Sequence, residues 1–438
     1  MSGNSSDAQA ELIRLRRENE LLREKLRQSG TQEGVGADRL SLPEYERYGR
    51  QMIVESTGGV QGQLLLKSAK VLVVGAGGLG SPCLPYLAGA GVGTIGIVDN
   101  DTVEVSNLHR QVIHDSGKVG MLKCESAREV LGKLNPNVKV VTYPVRLDYS
   151  NAFRIFEGYD IVLDCTDTPL TRYLVSDVAV NLGMTVVSAS GLGTEGQLSV
   201  LNFQDCGPCY RCFYPTPPPP TSVASCSEGG VIGPCIGIVG VMMAVETIKI
   251  ILGVYTKENF KPFLMMYSGF PGQTIRTFKM RGRQPQCIAC GTERTITKET
   301  IESGIVNYNV FCGSRNYNVC QPEERISVSD LQDELLDMDT TVLLDVRPSH
   351  HYKISHLPHT VNVPMKELRN LDRSVDALQS RIPQITESSD VLVICRHGNE
   401  SQLATRLLKD EFNIKNVRDV TGGLFKYIDE IDPSMPKY

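Results

Sequence analysis

The stretch KVLVVGAGGLGSPCLPYLAGAGVGTIGIVDND, residues 70–101, constrains the fold more tightly than any other part of the chain. An apolar run ends in Gly75, Gly77 and Gly80 at G-x-G-x-x-G spacing; a helix-like segment follows, then a second apolar run ending in Asp99. Glycines so placed permit a tight turn, close approach of backbone to phosphate and close helix packing, with the helix N-terminus facing the anion. Gly78 lies inside the same turn, and Asp99 stands where a carboxylate takes ribose hydroxyls. The motif signals a nucleotide without choosing one, and an NAD-dependent oxidoreductase is the default competitor.

The residues after Asp99 separate the two readings. In DNDTVEVSNLHRQVIHDSGKVGMLKCESA, residues 99–127, Asn107, Arg110 and Lys123 follow the strand end, where open α/β sheets bind ligands. Hydride transfer has little use for such a cationic group. A triphosphate losing pyrophosphate does, because that chemistry depends on positioning and on neutralising charge. VLDCTDT brings Asp164 and Asp167 to the end of another strand, and a carboxylate there suits Mg²⁺, a hard cation that takes oxygen ligands.

RYGRQM, GAGGLGSP, DNDTVEVSNLHRQ, GKVGMLKCESA and VLDCTDT resemble the MoeB/ThiF group, relatives of the ubiquitin-activating enzymes, over roughly residues 41–290. The resemblance implies adenylation of the C-terminal glycine of a ubiquitin-like protein. It implies that ATP is held by Gly75, Gly77, Gly78, Gly80, Asp99, the run Ser106, Asn107, Leu108, His109 and Arg110, and Lys123, with Asp167 serving Mg²⁺. Arg50 in RYGRQ is implied to reach the phosphates of a partner subunit in a homodimer. Thr168 departs from the family, which has Asn after the Asp.

Cys209-x-x-Cys212 and Cys287-x-x-Cys290 are two hooks with 74 residues between them, too far apart for a zinc finger. Paired hooks suit tetrahedral Zn²⁺ clipping distant segments of one domain, one structural ion per subunit. Cys206 is a weaker rival ligand. MoeB-like proteins bind zinc through the same hooks. Past the first hook, four prolines and a Ser/Thr/Gly-rich stretch lead to Cys226, a position matching the working cysteine of ubiquitin-activating relatives. Whether Cys226 forms a thioester, an acyl disulfide or a resolving disulfide stays open.

Near the other end, VLVICRHGNESQLATRLLKD places Cys395 between a strand and a helix, across the short turn Arg396–Ser401. Such a turn aims backbone N–H groups inward and adds the helix dipole, a setting expected to lower a thiol pKa and to stabilise an anionic persulfide. A cysteine phosphatase loop ends in an arginine that grips phosphate, whereas position 401 is serine. The segment resembles a rhodanese, with LLDVRPSHHYKISHLPHTVNVP upstream, although His359-Thr360 replaces the family's Gly-Ala. The implied role of Cys395 is to carry sulfane sulfur.

The expected architecture is α/β: a Rossmann-like ATP-binding adenylating domain with structural zinc, followed by a small α/β rhodanese domain. Expected bounds are 1–40 for a charged helix or coiled-coil stub carrying Leu12, Leu15, Leu22 and Leu26, 41–291 for the adenylyltransferase, 292–325 for a linker and 326–438 for the rhodanese. The order of domains resembles the eukaryotic adenylyltransferase–sulfurtransferases of molybdenum cofactor synthesis and tRNA thiolation. That implies as carriers the small subunit of molybdopterin synthase and the ubiquitin-related modifier, with a cysteine desulfurase or other persulfide donor. An oxidoreductase with a rhodanese regulator and a non-catalytic scaffold for ubiquitin-like proteins are the alternatives. With 45 Lys+Arg against 50 Asp+Glu, neither direct nucleic-acid binding nor binding to an anionic membrane is expected. The apolar run Val231–Val245 is short for a span, the start lacks the apolar core of a signal peptide, and 13 cysteines suit a reducing compartment, so the cytosol is expected.

Overall fold

A computed structural model describes residues 39–219, 229–313, 317–335, 341–386 and 388–438. The helix expected over residues 10–28 and Cys226 lie outside the described residues. The chain divides into two compact units, Met1–Gly313 and Ser314–Tyr438.

The first unit is built on β1 (Lys70–Val74), β2 (Thr94–Val98), β3 (Lys139–Tyr143), β4 (Ile161–Asp164), β5 (Thr185–Leu192), β6 (Glu195–Leu201), β7 (Phe263–Ser268) and β8 (Thr274–Lys279). They form one sheet in the order β3-β2-β1-β4-β5-β6-β7-β8. The first five are parallel, and β6, β7 and β8 continue the sheet antiparallel. The unbroken Val/Ile/Leu runs follow from burial on both faces. Val71 and Val73 join Leu84, Leu87 and Leu131 in one core, while Leu72 and Val74 join Phe156, Tyr173 and Val178 in the other. Strand order reverses at β1, so a crevice opens beyond the carboxyl ends of β1 and β4.

The helix Gly233–Ile251 is long and apolar enough to cross a membrane by length and composition. Here its Cys235, Ile236, Val239, Met243 and Ala244 are buried in the first core. Residues 292–325, expected as a linker, depart from that reading. They carry the helices Lys298–Glu302 and Tyr308–Cys312, and Ile296, Ile301 and Tyr308 are buried in the second core, so the unit runs to Gly313. The stretch is short of periodic apolar residues because its few buried side chains plug an already formed core.

The second unit holds β9 (Arg325–Ile326), β10 (Thr341–Asp345), β11 (Thr360–Asn362), β12 (Asp390–Ile394) and β13 (Asn416–Val420). The sheet is parallel throughout, in the order β11-β10-β12-β13-β9. Arg347, 1% exposed, folds back onto Asp345 and also donates to the Ser355 carbonyl at 2.8 Å and the Tyr438 hydroxyl at 2.8 Å. That accounts for the D-V-R run as a structural clamp. His359 adopts φ of +57°, the left-handed conformation a glycine takes freely, so the turn keeps its shape with His in that place. Since a left-handed side chain costs about 1–2 kcal/mol, His359→Gly is expected to raise stability modestly, read as a higher urea midpoint.

Candidate active site

At the carboxyl ends of β1, β2 and β4 lies a cleft of about 860 Å³. It is lined on one side by Gly75, Gly77, Gly78, Asp99, Asn107, Arg110 and Lys123, and on another by Asp167 and Thr168. Gly75 and Gly80 form the turn: a Cβ on Gly75 would lie 2.9 Å from the Cys165 carbonyl oxygen, and one on Gly80 2.0 Å from that of Gly75. Gly80 is therefore spent on packing and does not line the cleft, while Gly77 and Gly78 present bare backbone to it.

The charged groups are held by their own neighbours. Asp99 accepts the Ala76 N–H at 2.8 Å and the Asp101 N–H at 2.9 Å, and burial raises its carboxyl above the ordinary value. Lys123 opens the helix Lys123–Leu134 with its Nζ 2.9 Å from Asp101. Arg110 donates to Asn107 Oδ1 at 2.8 Å, to the Ser106 carbonyl at 3.0 Å and to the His109 ring at 2.8 Å. Burial, then Arg110, lowers the His109 pKa, which keeps the ring a neutral acceptor. Ser106, Leu108 and His109 thus lie beside the cleft rather than in its wall, and Ser106 and His109 brace Arg110. Arg50 is exposed on the helix Leu42–Met52 and does not line the cleft of its own chain.

Cys209, Cys212, Cys287 and Cys290 converge with all four sulfurs within 4.8 Å of one another. Three of the separations are 3.8, 3.6 and 3.3 Å. Four sulfurs about 2.3 Å from a central zinc stand about 3.8 Å apart, so the cluster fits a tetrahedral Zn²⁺. Cys206 instead sends its thiol to the Phe203 carbonyl at 3.1 Å and is outside the cluster.

In the second unit β12 delivers Cys395, 3% exposed, ahead of the helix Glu400–Asp410. The thiol meets Ser401 Oγ at 3.4 Å, and the N–H groups of Ser401, His397 and Asn399 turn toward the sulfur. The loop is pinned from below by the Gly422-Gly423 turn, where a Cβ on Gly423 (φ +64°) would lie 2.4 Å from the Cys395 carbonyl oxygen. The cradle expected from the sequence is present, but the expected lowered thiol pKa is not. Burial pushes the Cys395 thiol above its ordinary value and outweighs the Ser401 hydroxyl and the three N–H groups.

Residues 48–289 match the ThiF family and residues 327–430 the rhodanese-like domain. The chain belongs to the ThiF family. It is 67% identical to adenylyltransferase and sulfurtransferase UBA4 of Saccharomyces cerevisiae (strain RM11-1a), across 99% of this chain and 98% of that one. The same-named protein of Eremothecium gossypii is 59% identical over the full length of both. The ThiF fold is also that of E. coli MccB, solved with MccA-N7isoASN: TM-score 0.50, 24% identity, 56% of this chain and 75% of that one. This ThiF protein is an adenylyltransferase and sulfurtransferase that uses ATP.

Within the ThiF domain, Thr168 caps the helix Pro169–Leu182, its hydroxyl accepting the Thr171 N–H at 3.4 Å. Threonine and asparagine both cap helices, so the substitution preserves the helix start beside Asp167. Three functional candidates escaped the sequence reading. Gln111, 3% exposed, lines the cleft with its Oε1 unpartnered. Arg172 lines the cleft as well, from the first turn of the helix Pro169–Leu182. Arg211, inside the first zinc hook, makes a two-pronged pair with Asp177 at 3.0 and 2.9 Å, and Tyr308 adds a hydroxyl to Asp177 at 3.0 Å. Nothing in their local sequence distinguishes these residues from surface polar groups; only burial does.

Arg211 and Asp177 are buried together, so removing one strands the other's charge. Asp177→Ala is expected to cost about 3–5 kcal/mol of stability, read from denaturant unfolding, and to loosen the zinc hook with it.

Proposed function

We propose that the chain adenylates the C-terminal glycine of ubiquitin-like sulfur carriers and then converts it to a thiocarboxylate with sulfur from Cys395. The carriers are the molybdopterin synthase small subunit and the ubiquitin-related modifier, serving molybdenum cofactor synthesis and 2-thiolation of tRNA wobble uridine. The observation that carries this reading is one polypeptide holding both a cationic nucleotide cleft and a cysteine inside a ring of N–H donors.

In the first half a carrier carboxylate oxygen attacks the α-phosphorus of ATP and pyrophosphate leaves with the electron pair. Gly77 and Gly78 let backbone approach the phosphates, Asp99 takes the ribose, and Asn107, Arg110 and Lys123 offset the developing charge. Asp167, exposed in the cleft, supplies an oxygen ligand for Mg²⁺, which neutralises the polyphosphate when bound. In the second half a persulfide on Cys395, loaded by a cysteine desulfurase or other persulfide donor, attacks the acyl carbon and AMP leaves. A second thiol, for which Cys226 is the candidate, then attacks the Cys395 sulfur, releasing the thiocarboxylate and leaving a disulfide for an external dithiol to reduce.

Each ThiF domain holds one structural zinc, so elemental analysis is expected to find one zinc per chain. Stripping it with a chelator is expected to lower the melting temperature, because the metal's binding energy is folding energy here. A homodimer in which Arg50 serves the partner's cleft is supported by Ile53, Val105 and Val112, left 82, 72 and 69% exposed in the monomer. A cytosolic setting is supported by the twelve described cysteines, none of which is joined in a disulfide. The test is intact mass of the ubiquitin-related modifier after incubation with the protein, ATP and a sulfur donor. A carrier heavier by the exchange of oxygen for sulfur is expected, and an unchanged carrier overturns the reading.

A further inference from the structure

Arg172 sits in the first turn of the helix Pro169–Leu182 and is 8% exposed. Its Nη2 donates to the Thr166 carbonyl at 2.7 Å, and the Tyr210 phenol shares a hydrogen bond with it. Among the described residues no carboxylate comes within ion-pair distance of its guanidinium. Asp164, at the end of β4, spends its oxygens elsewhere: one accepts the Thr166 N–H and hydroxyl at 3.1 and 2.7 Å, the other the Ser188 hydroxyl at 2.8 Å. The contrast with Arg211 is direct, since that buried guanidinium has Asp177 gripping it from two sides. A buried cation without a carboxylate is costly, and the cost is recovered when an anion arrives.

The position says which anion. Arg172 belongs both to the wall of the large cleft and to a small crevice lined by Ser188, Ser190, Gln197 and Ser199 of β5 and β6. The glycine turn, Asn107, Arg110 and Lys123 form another part of the cleft lining. Gly191 and Gly196 pair across the β5–β6 ladder, where a Cβ would lie 3.0 Å from Ile236 or 2.6 Å from Val239, so these glycines let the helix Gly233–Ile251 pack closely behind this part of the cleft.

We propose that Arg172 receives and orients the free terminal carboxylate of the carrier; this rests on the adenylation reading above. A guanidinium fork matches a carboxylate in two parallel hydrogen bonds and fixes its plane. It also offsets the repulsion between that carboxylate and the polyphosphate it must approach. One carboxylate oxygen then bonds to the α-phosphorus as the α–β bridge breaks and pyrophosphate departs. The acyl group has lost its negative charge at that point, so Arg172 holds the adenylate less tightly than it held the acid.

The experiment compares the ubiquitin-related modifier with the same protein ending in a C-terminal amide, on the parent enzyme and on Arg172→Gln and Arg172→Lys, in the presence of a non-hydrolysable ATP analogue. The parent is expected to bind the acid at least about thirtyfold more tightly than the amide, and Arg172→Gln to bind the two alike. Arg172→Lys, a cation without a fork, should fall between them, and the affinity for the ATP analogue alone should change less than about threefold in either variant. Equal binding of acid and amide by the parent overturns the proposal without recourse to any variant. So does an Arg172→Gln variant that keeps the preference, or one that weakens the ATP analogue as much as the carrier. Carrier-dependent ATP–pyrophosphate exchange, run on the parent in parallel, separates the two failures: its presence with no acid preference sinks Arg172 alone, its absence sinks the adenylation reading with it.

Discussion

Cys395→Ala is expected to retain carrier-dependent ATP–pyrophosphate exchange within about twofold while making no thiocarboxylate. The exchange reaction needs only the cleft of the first unit, whose residues all precede Gly313, whereas Cys395 belongs to the second. The proposed nucleophile is the outer sulfur of a persulfide carried on Cys395, and alanine can carry none, so no residual transfer is expected. Intact mass of the carrier reads the product and labelled pyrophosphate reads the exchange on the same preparation. Thiocarboxylate formed at the parent rate by Cys395→Ala would falsify the assignment of sulfur transfer to this residue. The thiol's environment adds a second readout. Burial holds the Cys395 thiol above its ordinary value of 9.0, so it is mostly protonated at neutral pH. Below its pKa the thiolate fraction rises about tenfold per pH unit, and the rate of alkylation of Cys395 by iodoacetamide should climb with pH past that value without levelling. A plateau near neutral pH would mean that the ring of N–H donors, not burial, governs the free thiol.

Ser401, standing where a phosphatase loop has arginine, illustrates how much of the second site could be read in advance. The strand-turn-helix around Cys395 is written in consecutive residues, and the N–H cradle follows from that local geometry. Its pKa does not, because desolvation is set by everything packed over the loop, including the Gly422-Gly423 turn. The same division holds in the ThiF domain. Gly75, Gly77, Asp99, Asn107, Arg110 and Lys123 cluster because they occupy consecutive turns at one sheet end, and a motif captures that. Arg172 and Gln111 are polar residues among other polar residues in the text, and their burial comes from strands and helices far off in sequence. Likewise Ile301 and Tyr308 lie in a stretch with no periodicity, because they fill a core whose other walls are the helix Pro169–Leu182 and the zinc hooks. Spacing predicted the four-cysteine cluster across 74 intervening residues only because thiolate pairs have few other uses in a reducing setting.

Asp167→Ala is expected to lower ATP–pyrophosphate exchange by at least about a hundredfold and to leave sulfur loading of Cys395 untouched. Asp167 is exposed in the cleft, one residue ahead of the Thr168 cap, so its loss leaves the helix start and the buried walls intact. A change in stability beyond about 0.5 kcal/mol is therefore not expected, in line with substitutions at exposed sites. The carboxylate lost is the one placed to hold Mg²⁺ against the polyphosphate, and Arg110 and Lys123, already present in the parent, add no charge to replace that cation. Sulfur loading, measured as cyanide-dependent release of thiocyanate from thiosulfate, uses only the second unit. The signature is a reciprocal pair: Asp167→Ala silent in exchange and active with thiosulfate, Cys395→Ala the reverse. If raising Mg²⁺ restores exchange in Asp167→Ala toward the parent level, the residue acts by holding the metal. If saturating Mg²⁺ leaves the defect unchanged while ATP binding is normal, the carboxylate acts on the substrates directly, and the metal assignment moves to another of the acids lining the cleft, which are Asp99, Asp101, Glu104 and Glu195.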